Sequence, residues 1–333
     1  MLIKSTAELN ANAETNKSIS FDAVRMSIKT AEKKFIIPII GLAQYTNLNA
    51  AHNGGAPTPQ QTALIAAIQE PLASLALALF VPHAEVSLSD AGARRTGTEE
   101  MPGAYKYQTA NLAEALLGRG LDLIEDLLLF LETNKADYPL WTASDEFKEY
   151  RNLFIRSGTE FGQFYTGVKH PRQTFMKLRA ALLFVQENII RPAILPDIYD
   201  DLQTKLATEV IGYTANDKIL VKHLQRAMVY LAMKEGMSDY AVSIDNNGVT
   251  VLNDQTDPTM GDVSKKMSAS DIQLKNLTNS LYNIGYTWLK RATDFLDATA
   301  TDAIYIPWYE KMKEEIDTKD DNVNEELGGS FML

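Results

Sequence analysis

The chain has 333 residues, of which 45% are hydrophobic and 23% are charged, and it carries a formal net charge of −11 and no cysteine. This composition is typical of a folded globular protein and excludes an intrinsically disordered one, while the length suits two domains of ordinary size. The missing cysteines exclude disulfides and thiolate metal sites, and the negative charge disfavours sequence-independent binding to nucleic-acid phosphates.

The first helices are predicted from their caps and their apolar spacing. Ser5, with Glu8 three residues later, has the pattern of a capping box at a helix start. Ser20 is the predicted N-cap of the first long helix, whose apolar residues recur at helical spacing. Pro38 is expected to end that helix, because the residue before a proline avoids the α-helical region. A short helix over residues 42–48 should follow.

Further along, proline and alternation mark the next elements. Thr58 followed by Pro59 is a strong start signal for another helix. Apolar residues that alternate with polar ones predict a strand and a turn over residues 84–92. A leucine-rich helix is predicted over residues 105–133, and residues 144–165 are also predicted to be helical.

The later part of the chain shows the same order of elements. The pair Asn247-Gly248 lies between two alternating runs and is the strongest short signal for a β-hairpin. A long helix is predicted over about residues 270–298 and a short helix over residues 308–316. Residues 317–333 are acidic and then glycine-rich, so they are expected to have little fold of their own.

This recurrence of elements reflects an internal repeat in the sequence itself. A shift of 154 residues places the segment 21–48 on the segment 175–202. Larger shifts continue the match, and they change in loop-like stretches, as insertions do in diverged duplicates. The identical pairs include Phe21/Phe175, Arg25/Arg179, Ile36/Ile190, Pro38/Pro192, Tyr45/Tyr199, Leu75/Leu231 and Gly120/Gly285.

The sequence therefore predicts a mainly α protein in which a helical-bundle unit is duplicated in tandem, each copy carrying a small β-hairpin. We assign residues 1–168 to the first copy and residues 169–316 to the second. Residues 317–333 form an acidic, flexible C-terminal tail.

Catalytic chemistry has no signature in this sequence. There is no Walker A loop, G-x-S-x-G elbow, H-E-x-x-H motif or dinucleotide glycine fingerprint. No two of the four histidines have helical ligand spacing, and His83 with Glu85 is interpreted as a surface pair rather than a metal site. We therefore predict no catalytic residue, no metal ligand and no cofactor, and we expect that the protein is not an enzyme.

Two short stretches are candidate contacts with other subunits or partners. Arg94 and Arg95 follow the first hairpin turn and are interpreted either as a solvated strand or as a contact to an acidic neighbour, including another copy of this chain. Phe331, Met332 and Leu333 follow a glycine pair and are either free or an anchor for a groove in a partner.

Four stretches carry a resemblance to known proteins. SLSDAGARR at residues 87–95, AYKYQ at residues 104–108 and the segment 175–202 resemble a family of helical proteins encoded by tailed phages and prophages of Bacteroidetes, found among virion structural genes. KKFIIPIIG at residues 33–41 is similar to the first-helix signature of phage head–tail connector (adaptor) proteins. Such adaptors are about half this long, so the duplication would place two adaptor-like units in one chain. These motifs are structural, so no functional residue is carried over.

The resemblance implies a virion protein that forms a ring at the neck, between portal and tail. The expected partners are other copies of the chain, the portal and tail proteins, and DNA only in passing contact within a channel. We expect no membrane contact, and assembly in the bacterial host cytoplasm. A tail-completion or scaffold protein of the same particle is the alternative. A ligand-binding protein or enzyme with its site between the two copies is the alternative from a different class.

Overall fold

Helices dominate the computed structural model, so the prediction of a mainly α protein is confirmed. We call residues 1–148 the N-terminal half and residues 152–315 the C-terminal half. The structure describes residues 1–13, 19–84, 86–89, 92–95, 105–148, 152–207, 212–240, 242–245, 248–251 and 271–315.

The N-terminal half is built around one long helical hairpin. Its helices are α1 (Thr6–Asn12), α2 (Phe21–Ala31), α3 (Ile37–Ile40), α4 (Leu42–Gly54), α5 (Pro59–Ala84), α6 (Lys106–Thr133), α7 (Pro139–Thr142) and α8 (Asp145–Lys148). A π-helical turn, Glu32–Ile36, joins α2 to α3, and a 3-10 turn, Lys135–Asp137, follows α6. Between α5 and α6, strand β1 (Val86–Ser89) pairs antiparallel with β2 (Gly92–Arg95).

The C-terminal half has the same plan. Its helices are α9 (Gly158–Phe164), α10 (Pro171–Lys177), α11 (Arg179–Val185), α12 (Arg191–Ala193), α13 (Pro196–Ala207), α14 (Ala215–Tyr240), α15 (Asp271–Thr299) and α16 (residues 306–315). The π-helical turn Gln186–Ile190 joins α11 to α12. Strand β3 (Val242–Asp245) pairs antiparallel with β4 (Gly248–Val251) between the two long helices. The order of elements therefore recurs from one half to the other.

The predicted helix starts are confirmed by hydrogen bonds. The Ser5 hydroxyl accepts a bond from the Glu8 backbone N–H at 3.1 Å, and the Glu8 carboxylate accepts one from the Lys4 N–H at 2.8 Å. The Ser20 hydroxyl accepts from the Ala23 N–H at the start of α2. Side-chain acceptors thus satisfy N–H groups that the first helical turn leaves unpaired.

The prediction that Pro38 ends the first long helix is wrong. The helical path continues through the π turn Glu32–Ile36, and Pro38 lies in the first turn of α3. Proline is tolerated there because a first-turn N–H has no helical acceptor to lose. The break comes three residues later at Gly41, whose φ of +78° favours glycine. Helix α4 is also longer than predicted, since it reaches Gly54.

The prediction of a helix over residues 144–165 is also wrong. Of the described residues in that range, only those of α8 and α9 are helical, and Leu153–Ile155 is buried and non-helical. The Phe154 N–H donates to the Gln186 side chain at 2.9 Å, and the Phe154 carbonyl accepts from the Gln225 side chain at 2.8 Å. Side chains from distant helices thus replace the hydrogen bonds that a helix would supply.

Each half has its own hydrophobic core around its long hairpin. Helix α5 packs on α6 and α2 in the N-terminal half, and α14 packs on α15 and α11 in the C-terminal half. Met176 is partly buried and packs against both cores. The fully buried side chains of the N-terminal core include Ile28, Leu64, Ile68, Leu72, Leu75 and Leu131, and those of the C-terminal core include Leu182, Leu220, Leu224, Met228 and Leu296.

Helix α5 is long and apolar enough to cross a membrane by length and composition, with a mean hydropathy of 1.9 in its most apolar window. In the fold, 61% of that window is buried. Its neighbours are α2 and α6. Since a helix that is apolar all round is buried in the centre of a protein, this is the position of a core helix.

A glycine sets the crossing of the two long helices in each half. A Cβ atom on Gly120 would lie 2.6 Å from Cγ of Leu75, and one on Gly285 would lie 2.6 Å from Cγ of Leu231. Both distances are far below van der Waals contact, so the helices approach this closely only because glycine lacks a side chain. The sequence repeat matches Leu75 with Leu231 and Gly120 with Gly285. In the structure Leu75 contacts Gly120 and Leu231 contacts Gly285, so each half forms the same contact.

We expect alanine at either glycine to destabilise the protein. Gly120→Ala and Gly285→Ala should each lower the free energy of unfolding by about 1–3 kcal/mol, because the added methyl group overpacks the helix crossing. Urea denaturation followed by circular dichroism measures this. The control is Gly118→Ala in the same helix, where a Cβ meets nothing within 4 Å and the better helix propensity of alanine should stabilise. Equal effects at Gly118 and Gly120 would contradict the prediction.

Candidate functional site

A buried polar side chain lies at the π-helical turn of each half. In the N-terminal half, Glu32 is 2% exposed, and its carboxylate accepts hydrogen bonds from the Leu2 N–H at 2.6 Å and the Tyr45 hydroxyl at 2.9 Å. Burial, together with the nearby Glu32 charge and the hydrogen bond to it, raises the pKa of Tyr45 well above its ordinary value. The tyrosine therefore stays protonated and donates, and Glu32 ties the first residues of the chain to α4.

Gln186 has the equivalent position in the C-terminal half and is 1% exposed. It accepts from the Phe154 N–H and donates to the Asn152 carbonyl and to the Tyr199 hydroxyl, over 2.8–2.9 Å. The Tyr199 hydroxyl in turn donates to Glu187 at 2.5 Å. Burial first, and then this bond to Glu187, raise the pKa of Tyr199. All of these polar groups have partners, so we assign them to structure rather than to chemistry.

A second polar cluster lies where the two halves meet. Glu132, near the end of α6, accepts hydrogen bonds from the Gly158 N–H at 2.8 Å and the Thr159 N–H at 3.3 Å, which are the first two N–H groups of α9. It also accepts from the Thr159 hydroxyl. A carboxylate at a helix N-terminus satisfies unpaired N–H groups and is favoured by the helix dipole.

Glu125, seven residues before Glu132 in α6, accepts hydrogen bonds from N–H groups at the start of α10. Its carboxylate accepts from the N–H groups of Arg172 at 2.8 Å and Gln173 at 3.2 Å, and it pairs with the Arg172 guanidinium at 3.1 Å. Both side chains of this ion pair are largely buried, at 12% and 15% exposure. Because a spacing of seven residues returns to the same helical face, Glu125 and Glu132 cap two helices of the C-terminal half side by side. We call this cluster the joint.

One exposed carboxylate completes the joint. Asp122, one turn before Glu125, pairs with Lys169 at 2.7 Å and with His170 at 2.6 Å. These two hydrogen bonds hold the pKa of Asp122 below its ordinary value. Asp122 is half exposed, so solvent screens the pairs and they add little to stability.

A cleft lies within the C-terminal half. It has a volume of about 500 Å³ and is bounded by α13, the start of α14 and residues 303–307. Its polar lining is Asp197, Asp201, Lys205, Thr214, Asn216, Asp217 and Tyr305. The volume falls in the range of small-molecule pockets, so the polar groups decide whether it is a binding site.

Five of those seven groups, Asp201, Lys205, Thr214, Asp217 and Tyr305, are bonded to one another. Asp217 is 2% exposed and accepts hydrogen bonds from the Thr214 N–H at 3.0 Å, Lys205 Nζ at 3.1 Å and the Tyr305 hydroxyl at 3.0 Å. Burial opposes ionisation of Asp217, but these bonds outweigh it and lower its pKa. Lys205 also binds Asp201 at 2.6 Å. The network presents no free donor or acceptor at its centre, so the cleft has the character of a structural seam between α13, α14 and the last loop.

The residues that the sequence singled out as contacts are only partly placed. The backbone of Arg94 and Arg95 lies in β2, opposite Ser87 and Val86, and their side chains lie outside the described part. Phe331, Met332 and Leu333 lie outside the described residues, as does Glu85 beside His83. Within the described ranges, no cluster of three or more His, Asp or Glu side chains is placed to hold a metal ion.

Sequence reasoning missed the polar residues of the π turns and the joint. Glu32 and Gln186 occupy matching positions of the repeat at a shift of 154, so a polar residue kept within an apolar segment was a usable signal. The only sequence signal for Glu125 and Glu132 was their spacing of seven residues, which places them on one face of a helix. Nothing in the sequence indicated that their hydrogen-bond partners lie some 26–48 residues later in the chain.

Comparison with known proteins gives one match. The model of a family described as "Family of unknown function (DUF6712)" matches this chain twice, over residues 36–151 and residues 190–317. The two matches begin 154 residues apart, which is the shift of the repeat between α2 and α11. No curated protein and no solved structure matches the chain.

Proposed function

Because this chain belongs to the DUF6712 family of unknown function, with two matches to the family's unit, we propose that it is a structural virion protein of a tailed phage that forms a ring at the neck. In this proposal it acts as a head–tail connector, or adaptor, between the portal and the tail. Its partners are other copies of the chain, the portal and the tail proteins. The resemblance described above suggests the particle, and the observations below support a repeated unit with surfaces for assembly.

We infer that the chain is a tandem duplication, each copy carrying its β-hairpin between the long helices. Three hydrogen bonds of the N-terminal half recur in the C-terminal half, between residues at a shift of 152 in the first elements and of 154 at the π turn. These recurring bonds support a second copy that starts near residue 153. The corresponding residues are Leu2 and Phe154, Ser5 and Ser157, Glu8 and Glu160, and Glu32 and Gln186.

The observation that carries the assembly proposal is a set of exposed apolar residues on the second helix of each hairpin. The first buried residue of α6 is Gly120, so the described residues before it extend beyond the core. The same holds for α15 before Leu281. Exposed apolar side chains stand there at matching positions of the two copies: Tyr107 and Ile272, Leu112 and Leu277, and Leu117 and Tyr282.

These exposed residues support contacts with other copies of the chain. Each is at least 37% exposed, and three of them lie along one extended helix in each copy. Their spacing of five residues distributes them around each helix, so each extended helix offers apolar contacts on more than one side, and exposed apolar surface of this kind commonly marks a protein interface. The match between the copies means that both extended helices offer similar contacts, as successive units of a ring require.

We expect charge on these helices to prevent assembly. In the double variant Leu112→Glu/Leu277→Glu, each substitution places a carboxylate in the proposed contact, and desolvating it should weaken self-association about tenfold or more. Mass photometry over a concentration series measures the species present. The matched control is Met26→Glu/Leu42→Glu, at two exposed apolar residues of α2 and α4. Equal assembly of the double variant and the wild type would contradict the proposal.

A tail-completion or scaffold protein of the same particle remains the second proposal. It uses the same duplicated unit and the same exposed helices, and it differs in which virion proteins it contacts. Pull-down of the purified chain with portal and with tail proteins separates the two, since a connector binds both and a tail-completion protein binds only the tail side. The ligand-binding alternative loses support from the joint, where the groups between the copies are bonded to each other.

A further inference from the structure

The two copies carry opposite charges at one matching place on their long hairpins. In the first copy, Glu70 of α5 and Asp126 of α6 are both exposed. In the second copy, the corresponding positions are Arg226 of α14 and Arg291 of α15, at shifts of 156 and 165 residues. We call Glu70 and Asp126 the acidic face. We call Arg226 and Arg291, together with Trp288, the basic face.

The correspondence of these positions rests on the structure as well as on the sequence. The shift of 156 residues pairs Leu75 with Leu231, and the shift of 165 residues pairs Gly120 with Gly285. Leu75 contacts Gly120 and Leu231 contacts Gly285 in the same way, since a Cβ atom added to either glycine would lie 2.6 Å from the leucine Cγ. The acidic and basic faces therefore occupy the same place on two hairpins that cross in the same way.

The basic face has an ordered arrangement. The guanidinium groups of Arg226 and Arg291 each lie 4.3 Å from the centre of the Trp288 ring, and His223 stacks on the same ring at 5.6 Å. Lys222 is exposed one turn before Arg226 on α14. Burial, Arg226, Arg291 and Lys222 all lower the pKa of His223, which keeps the ring neutral. Cation–π contact of both guanidinium groups with one indole ring restrains the two cations next to each other.

Neither face is neutralised from within the chain. Over the described ranges, no carboxylate contacts Arg226 or Arg291, and no cation contacts Glu70 or Asp126. By contrast, the neighbouring Asp122 is paired with Lys169, and Lys290 is paired with Asp294. In a protein with a net charge of −11, an unpaired pair of arginines beside a tryptophan is the charge pattern of an interface, where Arg and Trp are enriched.

We infer that the acidic face of one chain binds the basic face of a second copy of this chain. Contact between two first copies, or between two second copies, would bring like charges together, whereas contact between a first and a second copy pairs Glu70 and Asp126 with Arg226 and Arg291. Such an interface is heterologous, so it continues from chain to chain and closes into a ring or extends as a filament. This inference rests on the proposed ring function and gives the ring its direction.

Charge reversal on the full-length protein tests this contact. Glu70→Arg/Asp126→Arg makes both faces basic, and Arg226→Glu/Arg291→Glu makes both faces acidic. For each variant alone, we expect the protein concentration needed for assembly to rise about tenfold or more, because like charges then face each other. Mixing the two variants should restore assembly, since every contact between unlike chains again pairs opposite charges. The chain that carries all four substitutions should also assemble by itself.

The control is Arg25→Glu/Lys29→Glu, which changes the net charge as much as Arg226→Glu/Arg291→Glu but at exposed residues of α2. It should assemble like the wild type. Circular dichroism establishes that each variant is folded. If the loss of the arginines disturbs the packing of Trp288, Glu70→Arg/Asp126→Arg still tests the contact, because it changes only exposed residues. Mass photometry at about 0.1 M and 1 M salt should show weaker wild-type assembly at the higher salt, where charges are screened over a few ångströms.

Three results would overturn the inference. If the wild type assembles and both reversals assemble equally well, the ring forms through other surfaces, and the proposed function survives without this contact. If the wild type never associates, either alone or with a portal protein, both proposals fail. If a synthetic peptide of residues 316–333 binds the full chain, and Arg226→Glu/Arg291→Glu abolishes that binding, then the acidic tail occupies the basic face instead of a second copy.

Discussion

Replacing Glu125 with alanine is expected to lower the free energy of unfolding by about 2–4 kcal/mol, because two helix N–H groups lose their acceptor and the largely buried Arg172 loses one of its two carboxylate partners. The other partner, Glu132, stays at 3.4 Å. The guanidinium of Arg172 would lose the carboxylate that now lies 3.1 Å away. The N–H groups of Arg172 and Gln173 at the start of α10 would lose their acceptor as well. Urea denaturation should show this loss in the first unfolding transition.

The matched control for Glu125→Ala is Asp122→Ala, one turn earlier on α6. Asp122 also pairs with residues of the second copy, but it is half exposed and its pairs are screened by solvent, so its loss should cost much less than the loss of Glu125. Limited proteolysis gives a second readout, since a loosened joint should speed cleavage of the chain around residues 165–171. Equal costs for the two variants would contradict the account of the joint.

Replacing Gln186 with leucine is expected to be the other large effect. Leucine fills the space, but the buried Phe154 N–H loses its partner, and an orphaned buried group costs about 1–3 kcal/mol. Asn152 is exposed, so water can replace the partner of its carbonyl. The loss should therefore be about 1–3 kcal/mol in the free energy of unfolding, measured by urea denaturation. Tyr199 keeps its bond to Glu187, so the damage should centre on residues 152–155.

Gln203→Leu is the matched control for that substitution. The side-chain nitrogen of Gln203 in α13 is buried and has no hydrogen-bond partner in the described structure. Removing it should leave stability unchanged or raise it, because an unpaired buried amide is unfavourable. If Gln203→Leu destabilised the protein as much as Gln186→Leu, the hydrogen bonds of Gln186 would not explain its effect.

Much of this fold could be predicted from the sequence, because its signals are local or repeated. The caps at Ser5 and Ser20 depend on residues three positions away, and both were predicted. The long helices follow from apolar spacing. The repeat paired Leu75 with Leu231 and Gly120 with Gly285, and these residues form the same contact in the two halves.

Contacts between distant residues account for the errors. The π turn at Glu32 forms where the side chain reaches the Leu2 N–H, 30 residues earlier, and no spacing within the helix indicates this bond. Leu153–Ile155 looked helical from their neighbours, but Gln186 and Gln225 hold them in a non-helical path. In both places a buried side chain supplies hydrogen bonds that decide the backbone conformation.

The candidate surfaces could be predicted least. A single arginine or glutamate on a helix has no meaning by itself, and Glu70, Asp126, Arg226 and Arg291 became significant only when the crossing of the hairpins showed that their positions correspond. The joint is similar, since Glu125 and Glu132 gain their role from helices of the second copy. Surfaces of this kind depend on the relation between elements, which a pattern within one element does not contain.

The most direct test of the ring proposal is mass photometry of the purified full-length protein, alone and with a portal protein, with negative-stain imaging of any large species. The proposal predicts a closed ring of chains, formed either by the protein alone or on the portal. A strict monomer under both conditions, which instead binds a small metabolite, would contradict it.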